Sequence, residues 1–209
     1  MNVSISNHKD VHKYLHDTTK YFIVLSVIFV LSVVYGMYSY YNDPVEAGSI
    51  MTEFADMFEW VASLNLLEIM LLIFVNNTVK AFMAIVLGVF VGIFPLYFVT
   101  VNGYFIGVVV YDAIQKEGAL YVLAAILPHG IIELPVILFA SAIGIRIGIS
   151  TIRALAYGNG NFMSRHRYNS VWMELKSGVL FFWHILIPLL FIAALIEAAV
   201  TPAVVSLII

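Results

Sequence analysis

The sequence predicts an all-α polytopic membrane protein, and three observations support this fold class. The 209 residues are 62% hydrophobic and 11% charged, whereas ordinary soluble domains carry about 25% charged residues. The mean hydropathy is +0.98. Uncharged apolar runs recur along the chain, and about 20 apolar residues are enough for one helical crossing. The sequence contains no cysteine, which excludes disulfides and thiol chemistry.

The first 20 residues are polar, and we predict that residues 1–20 form a cytoplasmic juxtamembrane segment. His8, His12 and His16 recur at four-residue spacing and would lie on one helical face. No acidic residue completes a clear set of metal ligands, so no metal site is predicted. Residues 21–209 are predicted to form one transmembrane helical domain.

An outer amphipathic helix is predicted within residues 42–64. This stretch contains five acidic residues and no lysine or arginine. Met51, Phe54, Phe58 and Val61 recur in it at helical spacing. These features are typical of a helix that lies on the membrane surface.

About five crossings follow from the apolar runs and the charges between them. The predicted spans are residues 21–41, 61–79, 81–101, 119–145 and 177–197. No charged residue occurs in the 31 positions from Ala81 to Tyr111, which is too long for one simple span. The Asn102-Gly103 turn signal predicts that 102–115 is a re-entrant or interfacial helix.

The charges also predict the orientation. With five crossings, nine of the ten lysines and arginines share one side of the membrane. Basic residues accumulate on the cytoplasmic side. We therefore expect a multi-pass cell-membrane protein with its N-terminus in the cytoplasm and its C-terminus outside.

Three glycine pairs at four-residue spacing indicate close helix packing. They are Gly88 and Gly92, Gly103 and Gly107, and Gly144 and Gly148. Small residues at this spacing let two backbones approach in lipid, within a subunit or between subunits. We expect a homodimer, the commonest symmetric assembly.

A polar stretch interrupts the longest apolar segment, at residues 127–135 (LPHGIIELP). His129 and Glu133 are four residues apart, so a helix places them on one face. A charged group at the bilayer centre costs about 2.5–3.5 kcal/mol on insertion scales, and such groups usually face a partner or a cavity. Pro128 and Pro135 each remove a backbone donor, which predicts a kinked helix. Candidate partners in the same intramembrane polar site are Asn76, Asn77, Asn102 and Glu68.

The motifs of residues 65–150 resemble one known family. They read I-F-x-N-N from Ile73, then G-x-x-x-G and N-G-x-x-x-G, then P-H-G-x-x-E-L-P from Pro128, followed by another G-x-x-x-G. This pattern is similar to the stage II sporulation protein M family. The resemblance implies an integral membrane protein. Sporulation members of that family are membrane scaffolds that work with two cell-wall hydrolases. No catalytic residue can be carried over from it.

Three functions are compatible with these observations. The first is a non-enzymatic scaffold or assembly partner, in which His129 and Glu133 are structural. The second is a transporter or channel with an ion site at the same pair, since broken helices with polar groups at mid-depth build many transport sites. The third is an intramembrane metalloenzyme, which is disfavoured because no H-E-x-x-H motif occurs and because nothing places His184, the other histidine within a span, near His129. A serine nucleophile is not supported either, because no G-x-S-x-G motif occurs. The expected partners are the lipid bilayer, a second copy of the chain and other membrane or envelope proteins. No cofactor and no nucleic acid is expected.

Overall fold

The computed structural model describes residues 8–156 and 165–207, and every regular element in these two stretches is helical. The helices are α1 (His8–Asn42), α2 (Pro44–Phe58), α3 (Leu66–Val86), α4 (Ile93–Glu117), α5 (Ala119–Ala156), α6 (Arg165–Phe181), α7 (Ile187–Leu195) and α8 (Thr201–Val205). The predicted all-α membrane class is confirmed.

Five stretches are long and apolar enough to cross a bilayer, as predicted, although their bounds differ from the prediction. They are Val11–Asn42, Leu66–Val89, Ile93–Glu117, Ala119–Ala156 and Asn169–Val205. The helix predicted within residues 42–64 is present as α2, which packs mainly on α1. Helix α1 is continuous from His8, so no break marks the predicted boundary at residue 20. Residues 1–7 and the His8 side chain lie outside the described part.

Helix α5 is the centre of the bundle, because it contacts α1, α3, α4, α6, α7 and α8. Its inward face is fully buried at Ile143 and Ile147. These side chains share one apolar core with Ile85 of α3, Phe181 of α6 and Leu190 of α7. The helix continues through Pro128 and Pro135 without a break. The remaining helices are therefore held in place by a single long central element.

The most extensive helix pair is α1 with α4, and glycines set its separation. A Cβ atom added at Gly103 would lie 2.8 Å from the Ser32 Cβ atom and 2.9 Å from the Phe29 carbonyl oxygen. One turn later, Gly107 lies against the Val33 carbonyl. The contacts advance along both helices together, so α1 and α4 run in the same direction. Only glycine permits this approach of two backbones.

The other two glycine pairs pack against each other. Gly88 lies on the backbone of Gly144, and Gly148 lies on the backbone of Gly92. Gly92 also has φ +78°, a left-handed conformation that favours glycine and that reverses the chain before α4. All three predicted pairs therefore pack helices of one subunit.

Two predicted span boundaries are wrong. The first is the boundary between the predicted spans 61–79 and 81–101, because α3 continues through it to Val86 and the chain turns between Leu87 and Gly92. The asparagine side chains do not cap a helix end; Asn76 Nδ2 donates to Asn77 Oδ1 at 3.3 Å within the continuous helix. The turn between α3 and α4 instead requires a residue in the left-handed backbone conformation, and Gly92 adopts it.

The prediction of a re-entrant helix at 102–115 is also wrong. Helix α4 is one element from Ile93 to Glu117 and passes through Asn102-Gly103. Asn102 Nδ2 donates to the Phe98 carbonyl oxygen of the preceding turn at 2.6 Å, which satisfies the polar side chain within the helix. Gly103 serves close packing on α1 instead of a turn. The number of crossings nevertheless stays at five.

The last crossing is one long helix interrupted by two π turns. They span Phe182–Leu186 and Ile196–Val200, and each precedes a proline, Pro188 or Pro202, by two residues. A proline in a helix lacks the backbone donor for residue i−4, and its ring clashes with that carbonyl. A π turn widens the helix at the obstructed point. The chain continues through Pro202 into α8.

Candidate intramembrane polar site

The candidate site lies where α3, α5 and the C-terminal helix meet. Glu133 follows the start of the 38-residue helix α5 by 14 positions, or about 21 Å at 1.5 Å per residue. About 35 Å of helix follows it. A hydrocarbon core is about 30 Å thick. Glu133 is therefore far from both ends of α5, at a depth where a carboxylate needs partners.

Three ligand-type side chains converge at this point. One ligand atom each from His129, Glu133 and Glu197 can be chosen so that all three atoms lie within 4.8 Å of one another. His129 and Glu133 are one helical turn apart on α5. Glu197 comes from the π turn of the C-terminal helix. All three side chains are half-buried.

A hydroxyl group links the histidine to that π turn. His129 Nδ1 lies 3.4 Å from Thr201 Oγ1, and Thr201 Oγ1 donates to the Ile196 carbonyl oxygen at 3.4 Å. The Thr201 backbone N–H also bonds to the same carbonyl, which closes the π turn. The turn that places Glu197 is therefore the turn that positions Thr201 against the imidazole ring.

Helix α3 contributes amide and ammonium groups. Asn77 is buried, with 6% of its surface exposed, and Asn76 is its neighbour in the cluster. Lys80 lies one turn further along α3 and interacts electrostatically with both Glu133 and Glu197. The two carboxylates thus have one cationic neighbour from the chain itself.

These groups border a cavity of about 620 Å³. Its polar lining is Asn76, Asn77, Lys80, Asn102, His129, Glu133 and Glu197. Its apolar lining includes Tyr97, Phe98 and Phe105 of α4. A second, smaller cavity of about 60 Å³ adjoins the same Glu133, Lys80 and Asn102 side chains. The cluster therefore faces open space on one side and the packed bundle on the other.

One carboxylate oxygen of the cluster is buried without a hydrogen-bond partner among the described residues. This oxygen is Glu133 Oε2. A buried polar atom without a partner costs about 1–3 kcal/mol. A buried polar atom of this kind requires an explanation, and one explanation is that it contacts a bound ligand.

The structure brings five of the six predicted site residues together. Glu68 is the exception, because it lies at the start of α3 in a capping box with Asn65. The Asn65 backbone N–H donates to Glu68 Oε2 at 2.8 Å, and the Glu68 N–H donates to Asn65 Oδ1 at 3.1 Å. His184, which lies in the last crossing, is exposed, and its Nδ1 atom lies 2.8 Å from the Leu180 carbonyl oxygen of its own helix. Neither residue belongs to the cluster.

Sequence reasoning missed Lys80 and Glu197. Neither residue is among the candidate residues that the sequence predicted for the intramembrane polar site. A signal was present for Lys80, because it is the one charged residue between Glu68 and Asp112. Glu197 likewise stands alone in the apolar run from Ser177 to the C-terminus. Isolated opposite charges in two spans predict a mutual contact.

A second polar cluster lies at the other end of α5. The Arg146 side chain is only 12% exposed, and its Nη2 atom lies 2.9 Å from Glu174 Oε2 of α6. It also donates to Thr18 Oγ1 at 2.9 Å and lies 4.4 Å from the centre of the Tyr14 ring. Because every partner comes from the same chain, this cluster joins α1, α5 and α6.

Comparison with known proteins identifies one family. A family model described as Stage II sporulation protein M matches residues 25–202. The match includes three of the five candidate crossings in full, parts of the first and the last, and every residue of the polar site. No curated protein and no solved structure matches the chain.

Proposed function

Because the chain belongs to the stage II sporulation protein M family, we propose that it is a non-enzymatic membrane scaffold that holds partner proteins at the bilayer. The family match covers residues 25–202, so it includes the outer helix as well as the bundle. Scaffolding requires a surface that the fold itself leaves uncovered, and α2 provides one.

The observation that supports this proposal most directly is the acidic surface of α2 and the turn after it. Glu53, Asp56 and Glu59 are exposed there, and residues 42–64 contain no basic residue. The helix packs mainly on the end of α1 and is not enclosed by the bundle. A partner with a basic surface in the same compartment would complement these charges.

Site-specific photo-crosslinking in the native membrane tests the scaffold. A photoreactive residue at Glu53 or Asp56 should give discrete protein adducts, and reversing the charge of Glu59 to lysine should reduce them. Val27 of α1 is 54% exposed on an apolar face and is the matched control, which should crosslink to lipid. Lipid adducts alone at all three positions would refute the proposal. Native mass spectrometry of the same membranes tests the expected homodimer.

A second function, cation transport, is favoured by the charged cavity. Scaffolding alone gives no reason for a 620 Å³ space lined by His129, Glu133, Glu197 and Lys80. Reconstituted vesicles loaded with a cation-sensitive dye would test it. A transport site predicts that Glu133→Gln abolishes flux and leaves folding intact. A structural site predicts no flux for the wild type, and lower thermal stability and dimer yield for Glu133→Ala.

A further inference from the structure

We propose that His129, Glu133 and Glu197 bind one divalent transition-metal ion within the membrane. Metal binding goes beyond the scaffold function and does not depend on it. The proposal rests on the three converging side chains, on an unpartnered buried oxygen and on the π turn that carries the third ligand.

The spacing of the three groups is close to that of a metal site. Their ligand atoms lie within 4.8 Å of one another. Nitrogen and oxygen ligands bind Zn²⁺ at about 2.0–2.2 Å, so two ligands of one ion are at most about 4.4 Å apart. A side-chain adjustment of less than about 1 Å would complete the contact. His129 and Glu133 are two ligands that are already close in sequence, and the fold brings Glu197 beside them as the third.

A further observation points to the same ligand. Glu133 Oε2 is buried without a hydrogen-bond partner among the described residues. A metal ion bound at the cluster would coordinate this oxygen and remove the cost of leaving it unpaired. Asn77 is buried beside it, and its amide oxygen could serve as a further ligand or bond to a bound water.

Thr201 is not one of the three ligands, but it lies where it can orient the His129 ring. Its Oγ1 lies 3.4 Å from His129 Nδ1, which leaves Nε2 as the available ring nitrogen. Residues that bond the second nitrogen of a ligating histidine fix its orientation and tautomer. The π turn at Ile196–Val200 places both Thr201 and Glu197. Single π turns inside α-helices are frequent at functional sites.

The donor set indicates the class of metal. One imidazole nitrogen and two carboxylates suit the Mn²⁺ to Zn²⁺ series better than Mg²⁺ or Ca²⁺, which prefer oxygen alone. Lys80 interacts with both carboxylates and partly neutralises them without an ion. It therefore competes with the metal, and its removal should tighten binding.

The test is metal titration of the purified full chain in lipid nanodiscs, without a polyhistidine tag. Co²⁺ binding is followed by visible absorption, and Zn²⁺ binding by calorimetry. Because His8, His12 and His16 could bind metal adventitiously, all variants are made in a background with these three histidines changed to glutamine. We expect one saturable ion per chain in that background.

The variants assign the ion to the site. His129→Gln and Glu197→Gln should each weaken binding at least about tenfold, and Thr201→Val should weaken it by about tenfold. Lys80→Met should strengthen it. His184→Gln is the matched control, since His184 is exposed outside the cluster, and it should bind like the parent. Thermal unfolding of each protein confirms that it is folded.

Two results would overturn the proposal. One is the absence of saturable binding in the background that lacks the three N-terminal histidines. The other is binding that His129→Gln, Glu197→Gln and Thr201→Val leave unchanged. Should His129→Gln fail to fold, Thr201→Val and Lys80→Met still decide the question, because their effects on affinity have opposite signs. Loss of photo-crosslinks at α2 would bear on the scaffold alone.

Discussion

Replacing Gly144 by alanine should destabilise the protein, because the new methyl group has no space. A Cβ atom at this position would overlap the Ala84 carbonyl oxygen and lie 3.0 Å from the Pro95 Cγ atom and 3.1 Å from the Ala84 carbonyl carbon. The nearest atom is the Ala84 carbonyl oxygen, which belongs to the backbone and cannot move aside as a flexible side chain can. Helices α3 and α5 must therefore move apart along their shared glycine contact.

The magnitude follows from two opposed effects. Overpacking a well-packed contact costs about 1–3 kcal/mol. Alanine favours the helix over glycine by up to about 1 kcal/mol. The net loss is about 1–2 kcal/mol, and each kcal/mol lowers the melting temperature of a chain of this size by about 2–4 °C. Gly144→Ala should therefore melt about 2–8 °C below the wild type.

The assay is thermal unfolding of detergent-purified protein, with Gly48→Ala as the matched control. An added Cβ at Gly48 meets no atom within 4 Å. This variant should melt at the wild-type temperature or slightly above it. The reasoning fails if Gly144→Ala is as stable as the wild type, or if both variants lose the same stability. Because the contact lies within one chain, the oligomeric state should not change.

Three further results are expected. Arg146→Met should lower stability by about 2–3 kcal/mol in thermal unfolding, since it leaves the Glu174 carboxylate without its cation, and the double variant with Glu174→Met should recover most of the loss. Asn65→Ala removes the N-cap of α3 and should cost about 1 kcal/mol, whereas unchanged unfolding would argue against the capping box. The chain contains no cysteine, so single cysteines report orientation directly. In intact cells an impermeant maleimide should label a cysteine at Glu117 and spare one at Lys20, and the reverse pattern would contradict the predicted orientation.

The sequence was sufficient for the fold class and the number of crossings, because both depend on the length of apolar runs and on charge. It failed at internal boundaries, because asparagine and glycine have different roles in lipid and in water. Asn102-Gly103 is a turn signal in a soluble chain. In this bundle Asn102 bonds to its own helix and Gly103 packs on α1.

The site was predictable where its members are neighbours in sequence. His129 and Glu133 follow from four-residue spacing on one helix. Glu197 could not be placed, because its position depends on a helix that returns beside α5 and on a π turn within that helix. Glu68 was wrongly included, although Asn65 three residues before it forms the sequence pattern of a capping box.

The charged site also constrains the order in which the protein is made. Lys80 lies in the second crossing, Glu133 in the fourth and Glu197 in the fifth. During synthesis the ammonium group enters the bilayer before either carboxylate has left the ribosome. The early helices must accept that unpaired charge, at about 2.5–3.5 kcal/mol, until the later ones arrive. Glu133 compensates the ammonium group when the fourth crossing arrives, and the final helix completes both the bundle and the charge cluster by adding Glu197.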